Sequence, residues 1–526
     1  MASFTFEPLT PAAFTRRAAA AFPGRAAVVD GDLTLTHDEF AARCDALRGA
    51  LAGLGVAAGD RVAALCANSH TMLELHHALP AHGAVLVPVN TRLAPDEIVY
   101  IVEHSGASVL IATAELTATA RAVAARTGVR LVEADEYESL LAAAPAVDAP
   151  GIDERQLLSI NYTSGTTGRP KGVMYHHRGA HLQALAMCYH AGLGPGTRYL
   201  WTLPMFHCHG WCFTWAVTAA GGTHVCLRAV DVDEIWRRLV DDGITHLSAA
   251  PTVLTMIAGA PSAQVLPERR TVHVDTGGAP PSPTLLARLD RLGLKVTHLY
   301  GMTETFGPIV VNQWQPEWDA LPDERRSRLR ARQGIGNVVA EPLRVVDLAG
   351  KDVPADGTTI GELAVRGNDV MLGYYRDDAA TAAVTVDGGW LLTGDLAVKH
   401  DDGYVEIRDR RKDIIISGGE NIASVEVEQA LDSHPDVVES AVVGAPDQRW
   451  GEVPVAYVHL RPGATVDPAG LAAHVSARLA RFKVPKRFVF TELPKTSTGK
   501  IQKNVLRVRA SHHGGGQPSS GASRVT

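Results

Sequence analysis

Short apolar strands alternate with amphipathic helices along most of the first four hundred residues, and this alternation restricts the fold more than any other feature of the chain. Thr36 and Glu39 make a capping-box pattern ahead of Phe40, Cys44, Leu47 and Leu51, which recur at helical spacing. Val62–Leu65 reads as a short buried strand. The rhythm returns at Ala84–Val89, in a helix over Pro95–His104, and at Val109–Ala112. It recurs in a helix over Asp233–Asp242 followed by a strand at Thr245–Ala249. Strand–helix–strand order predicts an α/β fold with mostly parallel sheets flanked by helices, because a parallel partner needs a crossover.

A change comes near residue 400. Asp401-Asp402-Gly403 is a hairpin signal, and Ile407–Asp413 is a dense charge run. Beyond it lies a compact α/β unit, with a helix over Ser424–Ser433, strands at Val437–Val443 and Pro454–Leu460, and a helix over Pro468–Arg481. The expected organisation is a large N-terminal domain over 1–408, a small C-terminal one over 409–510, and a Gly- and Ser-rich disordered tail over 511–526.

Composition excludes several classes. With 46% hydrophobic and 20% charged residues, and 49 Gly and 30 Pro without period, the chain is neither disordered nor collagen-like. Fifty Lys and Arg against 57 Asp and Glu give a net charge of −7, so nothing in the balance argues for a nucleic-acid partner. No apolar run approaches the ~18 residues of a membrane span. Six scattered cysteines do not make a disulfide scaffold. Glu7, Pro8 and direct continuation into Ala26–Val29 favour a first helix of the fold over a transit peptide, which leaves a reducing cytoplasm as the default location.

The informative segment is Tyr162–Val173, YTSGTTGRPKGV, which follows the strand-like Leu157–Tyr162. Gly165 and Gly168 let the backbone turn its N–H groups toward an anion. Thr163, Ser164, Thr166 and Thr167 add hydroxyl donors, and Lys171 adds a full charge, a set that suits a triphosphate. It is not a Walker A loop, since Pro170 stands where that motif needs glycine.

Seven more motifs follow in order: Leu203–His207 (LPMFH), Thr276–Ala279 (TGGA), Tyr300–Thr305 (YGMTET), Gly361–Gly367 (GELAVRG), Thr393–Leu396 (TGDL), Arg408–Ile422 (RDRRKDIIISGGENI) and Pro494–Lys500 (PKTSTGK). In this order the chain resembles the adenylate-forming superfamily of acyl-CoA synthetases, adenylation domains and firefly-type luciferases, over about residues 25 to 507. The resemblance implies two steps. A carboxylate attacks the α-phosphorus of ATP to give an acyl-adenylate and pyrophosphate, and a thiol then displaces AMP.

The resemblance also implies roles. Thr163–Lys171 would cradle the β- and γ-phosphates, Thr303 would bond the α-phosphate or acyl carboxylate, and Glu304 would ligate Mg²⁺. Tyr300 would stack on adenine, with Gly277, Gly278, Ala279 and Gly301 lining the base and acyl pockets. Asp395 would accept from both ribose hydroxyls, and Arg410 would reach the ribose or a phosphate. Lys500 would be the catalytic lysine of adenylation. Asp409 would be the hinge about which the small domain turns, withdrawing Lys500 and bringing Gly418-Gly419-Glu420 toward coenzyme A. Trp450 and Phe482 could stack on coenzyme A, although core packing is the commoner role for such residues.

His207-Cys208-His209 with Cys212 looks like a metal cluster, but no second ligand pair accompanies it. The resemblance makes His207 an acyl-side gate, with Cys208 and Cys212 in the pocket wall or core. Members that activate amino acids carry an aspartate after the aromatic of LPMFH. Here His207 follows Phe206, and Trp211, Phe213 and Trp215 lie downstream, so a fatty, aromatic or other bulky apolar acid is expected. GGENIASVEVE departs from the family's GGENIYP and is closer to the GGENISSVEVE of medium-chain and aromatic acyl-activating enzymes. The expected partners are that acid, coenzyme A or a carrier-protein pantetheine, and a second copy in a homodimer. A luciferase-like oxygenase is the remaining alternative.

Overall fold

The computed structural model describes residues 6–512 apart from 149, 164–168, 268–269, 280, 419 and 497–499. The large domain holds two doubly wound sheets. In the nine-stranded one, Leu294–Met302, Val272–Thr276, His246–Ala249, Arg198–Leu200, Thr223–Val225 and Ala26–Asp30 run parallel in that spatial order. Antiparallel strands finish both edges. The seven-stranded sheet is parallel from Arg130–Val132 to Leu157–Tyr162 and then turns antiparallel through Gly172–His176 and Gly373–Tyr374.

The expected elements form for the expected reasons. Thr36 accepts from the Glu39 N–H while Glu39 returns to the Thr36 N–H at 2.8 Å, opening the helix His37–Gly53 that buries Phe40, Cys44, Leu47 and Leu51. Trp201, Trp215, Tyr175, Tyr199 and Phe213 are fully buried between the sheets, in the core that positions the site.

Three expectations need correction. Strand–helix alternation does not continue to residue 400. Arg344–Val346, Gly361–Val365, Thr385–Val386, Trp390–Lys399 and Val405–Arg410 form an all-antiparallel sheet around Leu343, Val345, Leu363, Val365, Leu391 and Ala397. Hairpins join its last three strands, and the helix Asp378–Val384 lies only on the link from Gly361–Val365 to Thr385–Val386. The helix expected over Pro468–Arg481 stops at Ser476, and a separate short turn covers Arg481–Lys483. Ser511 belongs to the final helix, Lys503–His512, rather than to a tail, and 513–526 lie outside the described residues.

The small domain packs Ser424–Asp432 and Pro468–Ser476 on a sheet built around Val437–Asp447 and Gly451–Leu460. The strand Val405–Arg410 reaches it while still paired with Trp390–Lys399, so the expected boundary at 408/409 falls inside a ladder.

Candidate active site

The large-domain groups converge where strands of both sheets end, the usual place for ligands in open α/β sheets. Leu157–Tyr162 ends at the predicted phosphate loop, and Val272–Thr276 ends at Gly277-Gly278. Leu294–Met302 ends in the tight turn Thr303–Thr305. Ser164, Gly165, Thr166, Thr167 and Gly168 lie outside the described residues. The base of their loop is described, with the Thr163 N–H donating to the Lys171 carbonyl at 3.0 Å.

Lys171 and Glu304 meet on one side chain that the sequence did not single out. Lys171 Nζ sits 4.7 Å from the centre of the Tyr374 ring, and the Tyr374 hydroxyl donates to Glu304 Oε1 at 2.7 Å. Tyr374 is placed by pairing opposite Val173, on the strand that leaves the phosphate loop. No motif spacing marks it, since it arrives from two hundred residues downstream.

Tyr300 and Asp395 are joined as well. The Tyr300 hydroxyl donates to Asp395 Oδ2 at 2.5 Å, and Arg410 Nε lies 3.4 Å from Oδ1, set there by the register pairing Asp395 with Arg410. Burial pushes the Asp395 carboxyl up, against the lowering effect of the Arg410 charge. The Thr303 carbonyl accepts from the Tyr175 hydroxyl at 2.6 Å, which fixes the turn carrying Glu304. Gly301 packs directly on the Gly307 backbone.

Lys500 enters this group from the small domain. A Cβ on Gly278 would lie 3.1 Å from Lys500 Cε, and Gly278 has φ +88°. Burial, and then the Arg410 charge, lower the Lys500 pKa, while Asp395 and Glu304 favour its ammonium form. Burial and the Lys500 charge push the neighbouring His207 down to about 3, so His207 is a neutral imidazole beside a cation. Gly278→Ala should therefore push the lysine off its position. A displacement of this size is expected to slow adenylation by ~10- to 10²-fold. Acyl transfer from a supplied acyl-adenylate should be spared, and comparing pyrophosphate exchange with that transfer checks it.

The segment after His207 has an unusual backbone. Cys208, His209, Gly210, Trp211 and Cys212 all have φ between +48° and +63°, a left-handed turn costing ~1–2 kcal/mol for each non-glycine residue. Buried hydrogen bonds hold it. His209 Nε2 meets Ser159 Oγ at 2.6 Å and Asn161 Nδ2 at 2.8 Å, and Cys212 Sγ points to the Phe306 carbonyl. A Cβ at Gly210 would fall 2.3 Å from Trp201. His209 and Cys212 are thus structural, and among the described residues no three His, Cys, Asp or Glu side chains group as a metal site.

This turn sets Trp211, which is buried, against two glycines. Cβ positions at Gly277 and Gly307 would lie 3.2 and 3.1 Å from Trp211 atoms, so the indole is wedged between these two glycines. Phe213 and Trp215 instead belong to the core. Phe213 stacks on Tyr199, and Trp215 donates to the His76 carbonyl at 2.8 Å.

The coenzyme A candidates form a second group. The Gly418 N–H donates to the Trp450 carbonyl at 2.7 Å, and a Cβ on Gly418 would touch the Trp450 ring at 2.6 Å. Glu420 is exposed beside them, and Gly419 lies outside the described residues. Trp450 and Phe482 are 44% and 39% exposed, so neither is a core residue. Among the described residues no hydrogen bond or ion pair joins Gly418, Glu420 or Trp450 to Asp395, Tyr300 or Lys500.

Strands of two sheets ending beside one another at Lys171, Glu304 and Asp395, with a lysine supplied by a second domain, are the arrangement of an adenylate-forming enzyme. The chain belongs to the AMP-binding enzyme family, which matches residues 15–375, and the AMP-binding enzyme C-terminal domain matches residues 426–500. It is 42% identical to an acetate–CoA ligase of Humulus lupulus, covering 97% of this chain and 96% of that one. It is 39% identical to a peroxisomal benzoate–CoA ligase of Arabidopsis thaliana, covering 95% and 93%. Among solved structures, ATP-bound MatB from Rhodopseudomonas palustris superposes with a TM-score of 0.85 at 29% identity, covering 95% and 98%. The o-succinylbenzoate CoA synthetase of Bacillus subtilis, in complex with its acyl-adenylate intermediate, gives 0.83 at 29%, covering 96% and 99%.

Proposed function

We propose that this enzyme is an AMP-forming acyl-CoA ligase acting on a short-chain carboxylic acid. The observation that carries the reading is Lys500, brought from the small domain to Gly278 in the pocket that holds His207, Glu304 and Asp395. A carboxylate is a poor electrophile, and its oxygen must approach a phosphorus surrounded by negative charge. The Lys500 ammonium supports the charge that develops there, which is electrostatic stabilisation by a preorganised donor. Asp395 would hold the ribose, and Thr163 and Lys171 the outer phosphates. Neutral His207 can donate one ring N–H to the acyl carboxylate without adding charge.

Mg²⁺ fits the donor set, since Glu304 offers a hard oxygen and phosphates would supply the rest; when bound, the ion would screen phosphate charge. After pyrophosphate leaves, rotation about Asp409 would withdraw Lys500 and present Gly418, Gly419, Glu420 and Trp450 to coenzyme A, whose thiol displaces AMP. Coenzyme A is favoured over a carrier protein because the named relatives are CoA ligases. The test is acid-dependent exchange of labelled pyrophosphate into ATP without coenzyme A, with AMP released only when coenzyme A is added. AMP release that ignores coenzyme A would contradict the reading.

The size of the acid follows from Trp211. All three aromatics that suggested a bulky acid are buried, and what supports Trp211 as the acyl-facing one is its contact with Gly277, in the TGGA segment, where it would fill space. Relatives are named for acetate, acetate or butyrate, and 2-methylpropanoate, and others for benzoate and trans-cinnamate. We place this chain with the short-acid group. Trp211→Ala should raise the kcat/KM ratio of hexanoate over acetate by at least ~10- to 200-fold, since even one methylene in an apolar pocket is worth that much and the indole frees room for several. An unchanged ratio would remove Trp211 from the acyl wall.

Among the described residues no helix is long and apolar enough to cross a membrane. All six cysteines are free, which suits the reducing cytoplasm we propose, although several plant relatives are named as peroxisomal.

A further inference from the structure

Asp409 belongs to the large domain by its backbone and to the small domain by its side chain. Its backbone pairs with Leu396 in the ladder of Trp390–Lys399. Its Oδ2 accepts from the Ser424 N–H at 2.5 Å and from Ser424 Oγ at 2.7 Å, and its Oδ1 accepts from the Arg410 N–H at 2.7 Å. Ser424 opens the first helix of the small domain, and both residues are buried.

The contact continues toward the catalytic lysine. Ser424 Oγ, having donated to Asp409, accepts from Lys503 Nζ at 2.6 Å, and Lys503 is paired with Glu428 at 2.7 Å. Lys503 begins the helix Lys503–His512, three positions after Lys500, and one turn later Arg507 pairs with Asp413. A buried polar chain therefore links a large-domain strand, the first turn of a small-domain helix and the segment that carries Lys500.

The sequence adds an independent point. Where the related motif reads GGENIYP, this chain has Ala423-Ser424. Proline would be well accommodated at the first position of a helix, but it has neither the N–H nor the hydroxyl that Asp409 uses here. Chains with the proline version cannot make this contact.

We propose that Ser424, supported by Lys503, is a positioning residue that holds the Asp409 carboxylate in the pose with Lys500 at Gly278, a tether that the proline version of the motif lacks. The inference rests on the reading of Asp409 as the pivot. Breaking the tether loosens the adenylation pose without touching any group that meets ATP or the acid.

The experiment uses the full chain and three variants, Ser424→Pro, Ser424→Ala and Ser424→Thr. Pyrophosphate exchange and transfer from a supplied acyl-adenylate to coenzyme A are measured for each. One dye on each domain reports their separation before and after coenzyme A is added. Ser424→Pro is expected to slow exchange by ~10²-fold, the effect of losing two hydrogen bonds to a carboxylate at about tenfold each, while transfer is unchanged or faster. Ser424→Ala should lie between it and the native enzyme, and Ser424→Thr, which keeps both donors, should behave as native. The dye separation of Ser424→Pro should already be shifted toward its post-coenzyme A value.

Equal losses in both half-reactions, or no loss in Ser424→Pro, would overturn the tether. A separation that responds to coenzyme A identically in native enzyme and Ser424→Pro would overturn the tether and leave the pivot standing. No response in the native enzyme would overturn the pivot reading and the tether with it.

Discussion

Lys500→Ala is expected to slow adenylation by ~10²–10³-fold, the scale of removing one preorganised donor at a developing anion, while leaving transfer from a supplied acyl-adenylate to coenzyme A nearly intact. The expectation follows from where the side chain sits. Lys500 comes from a different domain than every other group in the pocket, and it packs against Gly278 rather than filling a core cavity of its own. Its removal should therefore cost chemistry and little stability. The same geometry sets a pH dependence. Burial and the Arg410 charge lower its pKa, and the useful form is the ammonium, which exists below that pKa. Adenylation should thus be lost as pH rises through a value below that of an ordinary lysine, and the acyl-transfer step should lack that alkaline limb. Equal loss of both half-reactions in Lys500→Ala would contradict the division of labour between the two domain poses.

Asp395→Ala is the second large effect. The carboxylate has two oxygens, which the resemblance assigns to the two ribose hydroxyls, and it also anchors the Tyr300 hydroxyl at 2.5 Å. Losing two hydrogen bonds to a charged acceptor, at ~1.5–3 kcal/mol each, should lower kcat/KM for ATP by at least ~10²-fold. The diagnostic readout is a nucleotide change rather than a rate alone. The native enzyme should discriminate strongly against 2′-deoxy-ATP, and Asp395→Ala should lose most of that discrimination, because the missing hydroxyl has no partner left to lose. An undiminished preference for ATP in the variant would place the ribose elsewhere.

Much of this site was legible because its parts are short motifs whose residue types carry their own chemistry. Lys500, Glu304, Asp395 and Arg410 could be named from the chain, and the structure brings all four together. What was not legible depends on pairing at long range. Tyr374 bridges Lys171 and Glu304 only because Gly373–Tyr374 adds to the edge of the strand carrying the phosphate loop. The antiparallel sheet of residues 344–410 was missed because its connections were read as continuing the earlier rhythm. The left-handed turn at Cys208–Cys212 contradicts local propensity at four non-glycine residues, so no local rule could find it. It is imposed by the buried partners of His209 and by Trp201 against Gly210. That turn sets Trp211 against Gly277 and Gly307. Reading Trp211, Phe213 and Trp215 as one apolar stretch could not separate the residue beside Gly277 from Phe213 on Tyr199 and Trp215 on His76.

The central claim is acid activation followed by thiol capture, and product identification by mass spectrometry tests it most directly. The purified full chain would be incubated with Mg·ATP and a pool of acids from acetate through hexanoate to benzoate and cinnamate, with and without coenzyme A. The account predicts AMP together with a short-chain acyl-CoA in the complete reaction, and only enzyme-bound acyl-adenylate without coenzyme A. An acyl-adenylate that accumulates unchanged when coenzyme A is present would contradict it.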